Sequence, residues 1–300
     1  MRVPILGGVA WLALLAACDR TVDGNLPVGG DQPSQAETER FARRLHLDLT
    51  GGSPDDDFVA DAVARLGEVD DAATRRAIAQ ALIDAPAFAA VYVDEVEGRA
   101  YGGDTVEARY GLLCGIVRTT DPACDACAPP ADGDACGTCS CAPLAGYVAE
   151  RAALRTAVDD LAAGATTSSI ERRYVEASPF RALASPDGVA QALFDGFLGH
   201  APQLEERRNA AAMVQGALIA GSPAGLLYHR HGADYADLLD IVFGSEVYRE
   251  AAVGAVFERY LGRRPTAAEL GHFAAGLDPD DPDVRDVILA VVSSREYFEQ

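Results

Sequence analysis

The sequence predicts an all-α protein: short helix-turn-helix units, repeated along the chain and packed as an orthogonal bundle, with one disulfide-stapled Cys-rich loop inserted among them. Three observations predict it. A Gly stands three residues ahead of a Pro at Gly51/Pro54, Gly199/Pro202 and Gly262/Pro265. A small residue stands three ahead of an aromatic, closing each unit, at Ala85/Phe88, Ser245/Tyr248 and Ser294/Tyr297. Between these marks apolar residues recur at spacings of three and four, the period of a helix with one buried face. The most patterned copy is the last, Val256 to Phe298.

Composition bounds the class. With 300 residues, 49% hydrophobic and 24% charged, the chain is long and apolar enough for one large or two smaller packed domains. Its 46 acidic against 25 basic residues give a net charge of −21, which repels phosphate backbones and excludes nucleic acid as a natural partner. Every basic residue is Arg. With no Lys, a Walker-type phosphate loop, Schiff-base chemistry and a Lys general base are all excluded.

Residues 1–17 have the form of a signal peptide: Arg2, then an apolar run from Val3 to Ala17 that is too short for a spanning helix. Leu15-Ala16-Ala17-Cys18 resembles the lipobox of bacterial lipoproteins, which implies cleavage before Cys18 and its lipidation. The expected location is the bacterial cell envelope: lipid-anchored, on the periplasmic face of the inner or outer membrane or at the cell surface. Residues 18–35, with Gly24, Pro27, Gly29, Gly30 and Pro33, read as a flexible tether.

The first helical unit spans 36–112. Phe41, Leu45 and Leu49 share a face at spacing four. Ser53-Pro54-Asp55-Asp56 reads as the next helix start, with the Ser53 hydroxyl as cap and carboxylates at the positive end of the dipole. Phe58, Val59, Ala62, Val63 and Leu66 form its stripe. A third helix carries Ile78, Ala81 and Leu82 and stops near Pro86. A fourth runs from Val106 to Val117. Residues 113–146 hold the insertion, whose stretch from Thr119 to Pro143 is nearly devoid of large apolar side chains and unable to build a core of its own. Residues 147–187 form a half-unit: Leu154, Val158 and Leu161 on one stripe, a stop at Gly164, and a restart at Thr167/Ser168. Residues 188–300 hold two further units, the first lengthened by an insertion at 216–234. In the second, Thr266 and Glu269 make a capping box.

Two resemblances follow from these residues. Arg43-Arg44-Leu45-His46-Leu47-Asp48-Leu49-Thr50-Gly51, Pro54, Phe58 and the Ala81-to-Phe88 ending resemble a helical domain of unknown function in bacterial surface proteins, often beside cytochrome c modules. Here no Cys-x-x-Cys precedes a His, so no haem is expected. The two C-terminal units, through aromatic-Leu-Gly-x-x-Pro and Ser-x-x-Tyr, resemble helical repeats of secreted and surface-layer proteins and, more remotely, phycobilisome linkers. That resemblance implies an interaction module with no catalytic residue to carry over.

Cys114, Cys124, Cys127, Cys136, Cys139 and Cys141 remain. An even number in an exported chain reads as three disulfides, running from one Cys cluster to the other because adjacent pairs are strained. The rival is a metal site at the two Cys-x-x-Cys pairs. His229-Arg230-His231 reads as a solvated insertion, since side chains at spacing two diverge. The acidic turns Asp55–Asp57 and Asp278–Asp283 lack an alternating calcium-loop pattern and read as helix caps. No catalytic residue, metal or cofactor is expected. The functional reading is a non-enzymatic envelope protein whose helical units bind a protein partner. The alternatives are an envelope enzyme or accessory using carboxylates in a cleft between units, and metal binding by the Cys-rich loop. Local function is expected where the units differ, in the Cys-rich loop and in 216–234.

Overall fold

A computed structural model describes residues 33–68, 71–124, 136–137, 141–182, 184–219 and 222–300. It is all-α apart from one small hairpin, with a disulfide-stapled loop. In order, the helices are α1 Gln35–Thr50, α2 Asp56–Glu68, α3 Ala72–Ile83, α4 Pro86–Tyr101, α5 Val106–Thr120, α6 Ala142–Arg155, α7 Ala157–Ala162, α8 Thr167–Glu176, α9 Ser178–Ala182 and α10 Pro186–Leu193. A π turn, Phe194–Leu198, follows directly, then α11 Leu204–Gln215. The hairpin pairs β1 Gly225–Leu227 antiparallel with β2 Arg230–Gly232. The chain closes with α12 Tyr235–Phe243, α13 Glu246–Leu261, α14 Ala267–Gly276, α15 Arg285–Val292 and α16 Arg295–Glu299. Among the described residues no single helix is long and apolar enough to cross a membrane.

The chain forms two compact units that are not continuous in sequence. One takes the described residues up to Phe88 together with Val256–Arg263 and Arg285–Gln300; the other takes Ala89–Ala255 and Arg264–Val284. In the first, Phe41, Leu45 and Leu49 are buried with Leu66, Ile78, Val291 and Phe298. Its α2 stripe is narrower than the sequence reading: Val59, Ala62 and Leu66 are buried, while Phe58 and Val63 are only half-buried. On α3 the buried alanine is Ala79, and Ala81 faces solvent. In the second unit, Leu154, Leu161, Ile170, Tyr174, Val189, Leu193 and Phe197 are core residues.

The Gly-x-x-Pro repeat is one local device used three times. Gly51, Gly199 and Gly262 have φ of 70, 68 and 65°. Each closes a helix in the left-handed region, where a Cβ is penalised. The Pro that follows does not occupy the first helical position. Pro54, Pro202 and Pro265 each precede the N-cap, and Asp55, Gln203 and Thr266 precede helices beginning at Asp56, Leu204 and Ala267. Pro lacks an N–H and fixes φ, so it sets an extended approach to the cap and forbids the previous helix from running on. This corrects the reading of Ser53 as cap: Asp55 Oδ1 accepts the Phe58 amide at 2.7 Å. Two residues nearer the helix, the carboxylate reaches an amide that Ser53 cannot.

The small-x-x-aromatic mark is also reinterpreted. It opens a helix and closes nothing. Ser245 Oγ accepts the Tyr248 amide at 3.0 Å and Ser294 Oγ accepts the Tyr297 amide at 3.2 Å, each the hydroxyl cap of the helix that carries the aromatic. At Phe88 the amide bonds the Ala85 carbonyl at 3.0 Å, and Pro86 begins α4 where the third helix was expected only to stop. Position Pro86 needs no intrahelical donor.

Other boundaries differ locally. Helix α5 continues past Val117 to Thr120, and the 147–161 stripe breaks at Thr156 into α6 and α7. The cap of α8 is Thr166, one residue ahead of the expected restart. The second acidic turn meets a helix start far from it in sequence, where the Pro282 carbonyl accepts the Ser168 amide at 3.2 Å. Asp281 Oδ1 accepts the hydroxyls of Thr166 and, at 2.8 Å, Ser168, so this carboxylate sits at the start of α8, more than a hundred residues upstream. Thr167 Oγ1 in turn accepts the Val284 amide at 2.9 Å.

Cys114 is bridged to Cys136, and Cys124 to Cys141. All four are buried. The first bridge ties the middle of α5 to the insertion; the second joins the turn after α5 to the N-cap of α6, so the insertion is closed at its neck. Cys127 and Cys139 lie outside the described residues, as do Cys18, the expected signal peptide and most of the expected tether.

Candidate functional site

Buried charge marks the chemistry-bearing part of the second unit. Glu171 sits mid-way along α8, between the buried Ile170 and Tyr174, so helical periodicity carries it inward with the apolar face. Its side chain is 5% exposed. Three donors meet it: Tyr92 Oη at 2.7 Å and an Arg99 Nη at 2.6 Å on one oxygen, and Tyr248 Oη at 2.6 Å on the other. Tyr92 and Arg99 lie seven residues apart on α4, two turns of one face, and Tyr248 comes from the first turn of α13. Burial pushes the Tyr92 and Tyr248 hydroxyls well above their ordinary pKa, and the Glu171 charge pushes them further. Burial opposes the Arg99 charge, but Glu171 beside it prevails and raises the guanidinium pKa. The group is therefore a carboxylate met by one guanidinium and two phenol donors.

Arg99 is also the link between this cluster and an open cleft of about 480 Å³. Its guanidinium lies over the Phe197 ring at 5.2 Å. Ala100 and Tyr101 continue the Arg99 side, and Arg109 of α5 stands across the glycine turn, Gly102–Gly103, that ends α4. Arg109 pairs with Asp104 at 2.9 Å and donates to the Tyr101 carbonyl at 2.8 Å. The apolar wall is Pro179 and Phe180 of α9 with Ala192 of α10. Asp195, exposed on the π turn and bonded by Gln191 at 2.7 Å, marks the rim.

The π turn shapes this end. Widening the helix at Phe194–Leu198 brings Gly196 against the α4 backbone, where a Cβ would stand 3.1 Å from the Arg99 carbonyl oxygen. Only Gly allows that approach without displacement. Phe194 and Phe197 are both buried. Sequence reading misses Arg99, Arg109, Glu171 and Gly196, which share no motif and come together only through packing. A weak signal exists in the two-turn spacing of Tyr92 and Arg99 on α4, a helix that also carries Asp94, Glu95 and Glu97.

The repeat aromatics divide by chemistry. Tyr248 feeds Glu171. Tyr297, its counterpart in the first unit, donates to Asp48 at 2.7 Å, with Arg44 stacked 4.3 Å over its ring. Phe88 is buried and has no hydroxyl to place. Within the insertion 216–234, residues 225–232 form the hairpin, and its turn residues Tyr228 and His229 both take positive φ. His229 and His231 are exposed. Among the described residues no group of three or more His, Cys, Asp or Glu is arranged to hold a metal.

No family model, curated protein or solved structure matches this chain.

Proposed function

We propose that this protein is a lipid-anchored envelope component in which a helical body, tethered through Cys18, serves as a binding module. The observation that carries the reading is Leu15-Ala16-Ala17-Cys18 directly behind the apolar run of a signal peptide. A diacylated or triacylated Cys18 attaches the chain without a spanning helix. The body supports a binding role in a second way. Its most buried acidic group, Glu171, faces two phenols and a guanidinium and so acts as a structural anchor, where paired catalytic carboxylates would face each other.

The test has two parts. Intact mass of the membrane-extracted protein is expected to show a chain beginning at Cys18 plus acyl groups, and Cys18→Ser is expected to abolish both cleavage and acylation. Recovery of the wild-type N-terminus without acyl mass overturns the anchor. Cross-linking in intact cells is then expected to trap a stoichiometric envelope complex; a monomer in every condition counts against the module.

A further inference from the structure

The geometry points to the Arg99–Arg109 cleft as a binding site for a small organic monocarboxylate with an apolar body. Its volume, about 480 Å³, lies inside the range of small-molecule pockets, roughly 300–1,000 Å³. So does its make-up: an apolar wall, with few polar groups fixed in place. Phe180, Pro179 and Ala192 line it together with Arg99 and Arg109, whose guanidiniums are each held by a carboxylate.

Arg99 is the pivotal residue. One of its five N–H groups donates to Glu171, and among the described residues no protein acceptor takes the others. The Glu171 carboxylate and the Phe197 ring hold the guanidinium, so little rotamer freedom is left to lose when a ligand arrives. Arg109 is fixed likewise through Asp104 and the Tyr101 carbonyl. A planar carboxylate matches the fork of a guanidinium.

The surroundings choose among anions. Asp195 stands on the rim, Glu171 lies behind Arg99, and the whole chain carries −21. A dianion such as phosphate meets that repulsion twice, whereas a monocarboxylate meets it once and gains contact with the apolar wall. A carboxylate without an apolar body loses the wall, and an alcohol of equal length loses the guanidiniums.

Titration calorimetry and saturation-transfer NMR on the full chain with hexanoate test this. The expected result is saturable one-to-one binding, with acetate and hexanol each at least about tenfold weaker and inorganic phosphate failing to compete. Ala192→Phe fills the cleft without touching either arginine and is expected to remove binding while circular dichroism and Tm stay unchanged. Arg109→Gln is expected to weaken hexanoate about tenfold and leave hexanol unaffected, and Asp195→Asn to tighten hexanoate. The proposal is overturned if hexanoate does not saturate, if hexanol binds as well, or if folded Ala192→Phe and Arg109→Gln bind like the wild type. None of these readouts depends on lipidation or on a protein partner, so failure here leaves the envelope reading standing.

Discussion

Two tyrosines at equivalent places in the repeat, Tyr248 and Tyr297, each follow a capping serine by three residues and each hand their hydroxyl to a carboxylate that an arginine also holds. In the first unit the carboxylate is Asp48, one turn from Arg44 on the same helix, with both side chains about 30% exposed. In the second it is Glu171, 5% exposed, reached by Arg99 and a second tyrosine from other helices. The same sequence mark thus produces two knots of very different worth. Where water reaches the carboxylate, losing a protein donor is largely made good by solvent; where it does not, every donor counts. The buried knot therefore acts as a keystone for α4, α8 and α13, and the open one trims a surface.

The contrast can be broken most severely at Glu171. Glu171→Ala leaves Arg99 without its anion and takes the carboxylate acceptor from the buried Tyr248 hydroxyl, and is expected to cost about 3–5 kcal/mol in urea unfolding. A loss below about 1 kcal/mol would show that the knot is wet. Next comes the matched pair. Tyr248→Phe is expected to cost about 1.5–3 kcal/mol, as for a buried hydrogen bond to a charged group, and Tyr297→Phe about 0.5–1 kcal/mol. Equal losses would erase the distinction between the knots.

The pH dependence sharpens it further. Tyr92 and Tyr248 keep their protons in the folded state to well above their ordinary value. Their contribution is complete below about pH 10, the unfolded value, and is lost as pH rises from there toward the folded pKa values, because the unfolded chain releases protons that the folded one retains. Each such tyrosine contributes a slope of up to about −1.4 kcal/mol per pH unit. Tyr260, raised to about 12 by burial, adds a shorter span of the same sign. Tyr248→Phe is expected to flatten the alkaline limb measured by chemical denaturation from pH 9 to 12; an unchanged limb would remove Tyr248 from the account. The smallest effect belongs to Asp48→Asn, expected to cost less than about 1 kcal/mol at neutral pH, since the Arg44 pair is open to solvent.

Much of the architecture was legible because its signals are local. Left-handed Gly51, Gly199 and Gly262 and the Pro three residues later follow from steric rules acting within five residues. Where the reading slipped, it slipped by a residue or two, choosing Ser53 over Asp55 and the first turn of α8 over Thr166, because neighbouring polar residues all cap acceptably until backbone geometry selects one. The small-x-x-aromatic mark was seen but read backwards, since periodicity alone does not distinguish the last turn of one helix from the cap of the next. The cleft was not legible. Arg99, Arg109, Phe180 and Gly196 come from four separate elements of ordinary composition.

By itself the sequence determined the helical class, the repeated Gly-x-x-Pro turn and the cysteines available for bridging, all consequences of short-range sterics, capping and composition. Tertiary structure alone decided that Cys114 meets Cys136, that Asp281 accepts the hydroxyl of Ser168 at the start of a helix more than a hundred residues upstream, and that Glu171 meets Arg99 beside a cleft. These depend on which helix faces meet. That choice is made by the summed burial of many weak contacts, and no spacing along the chain records it.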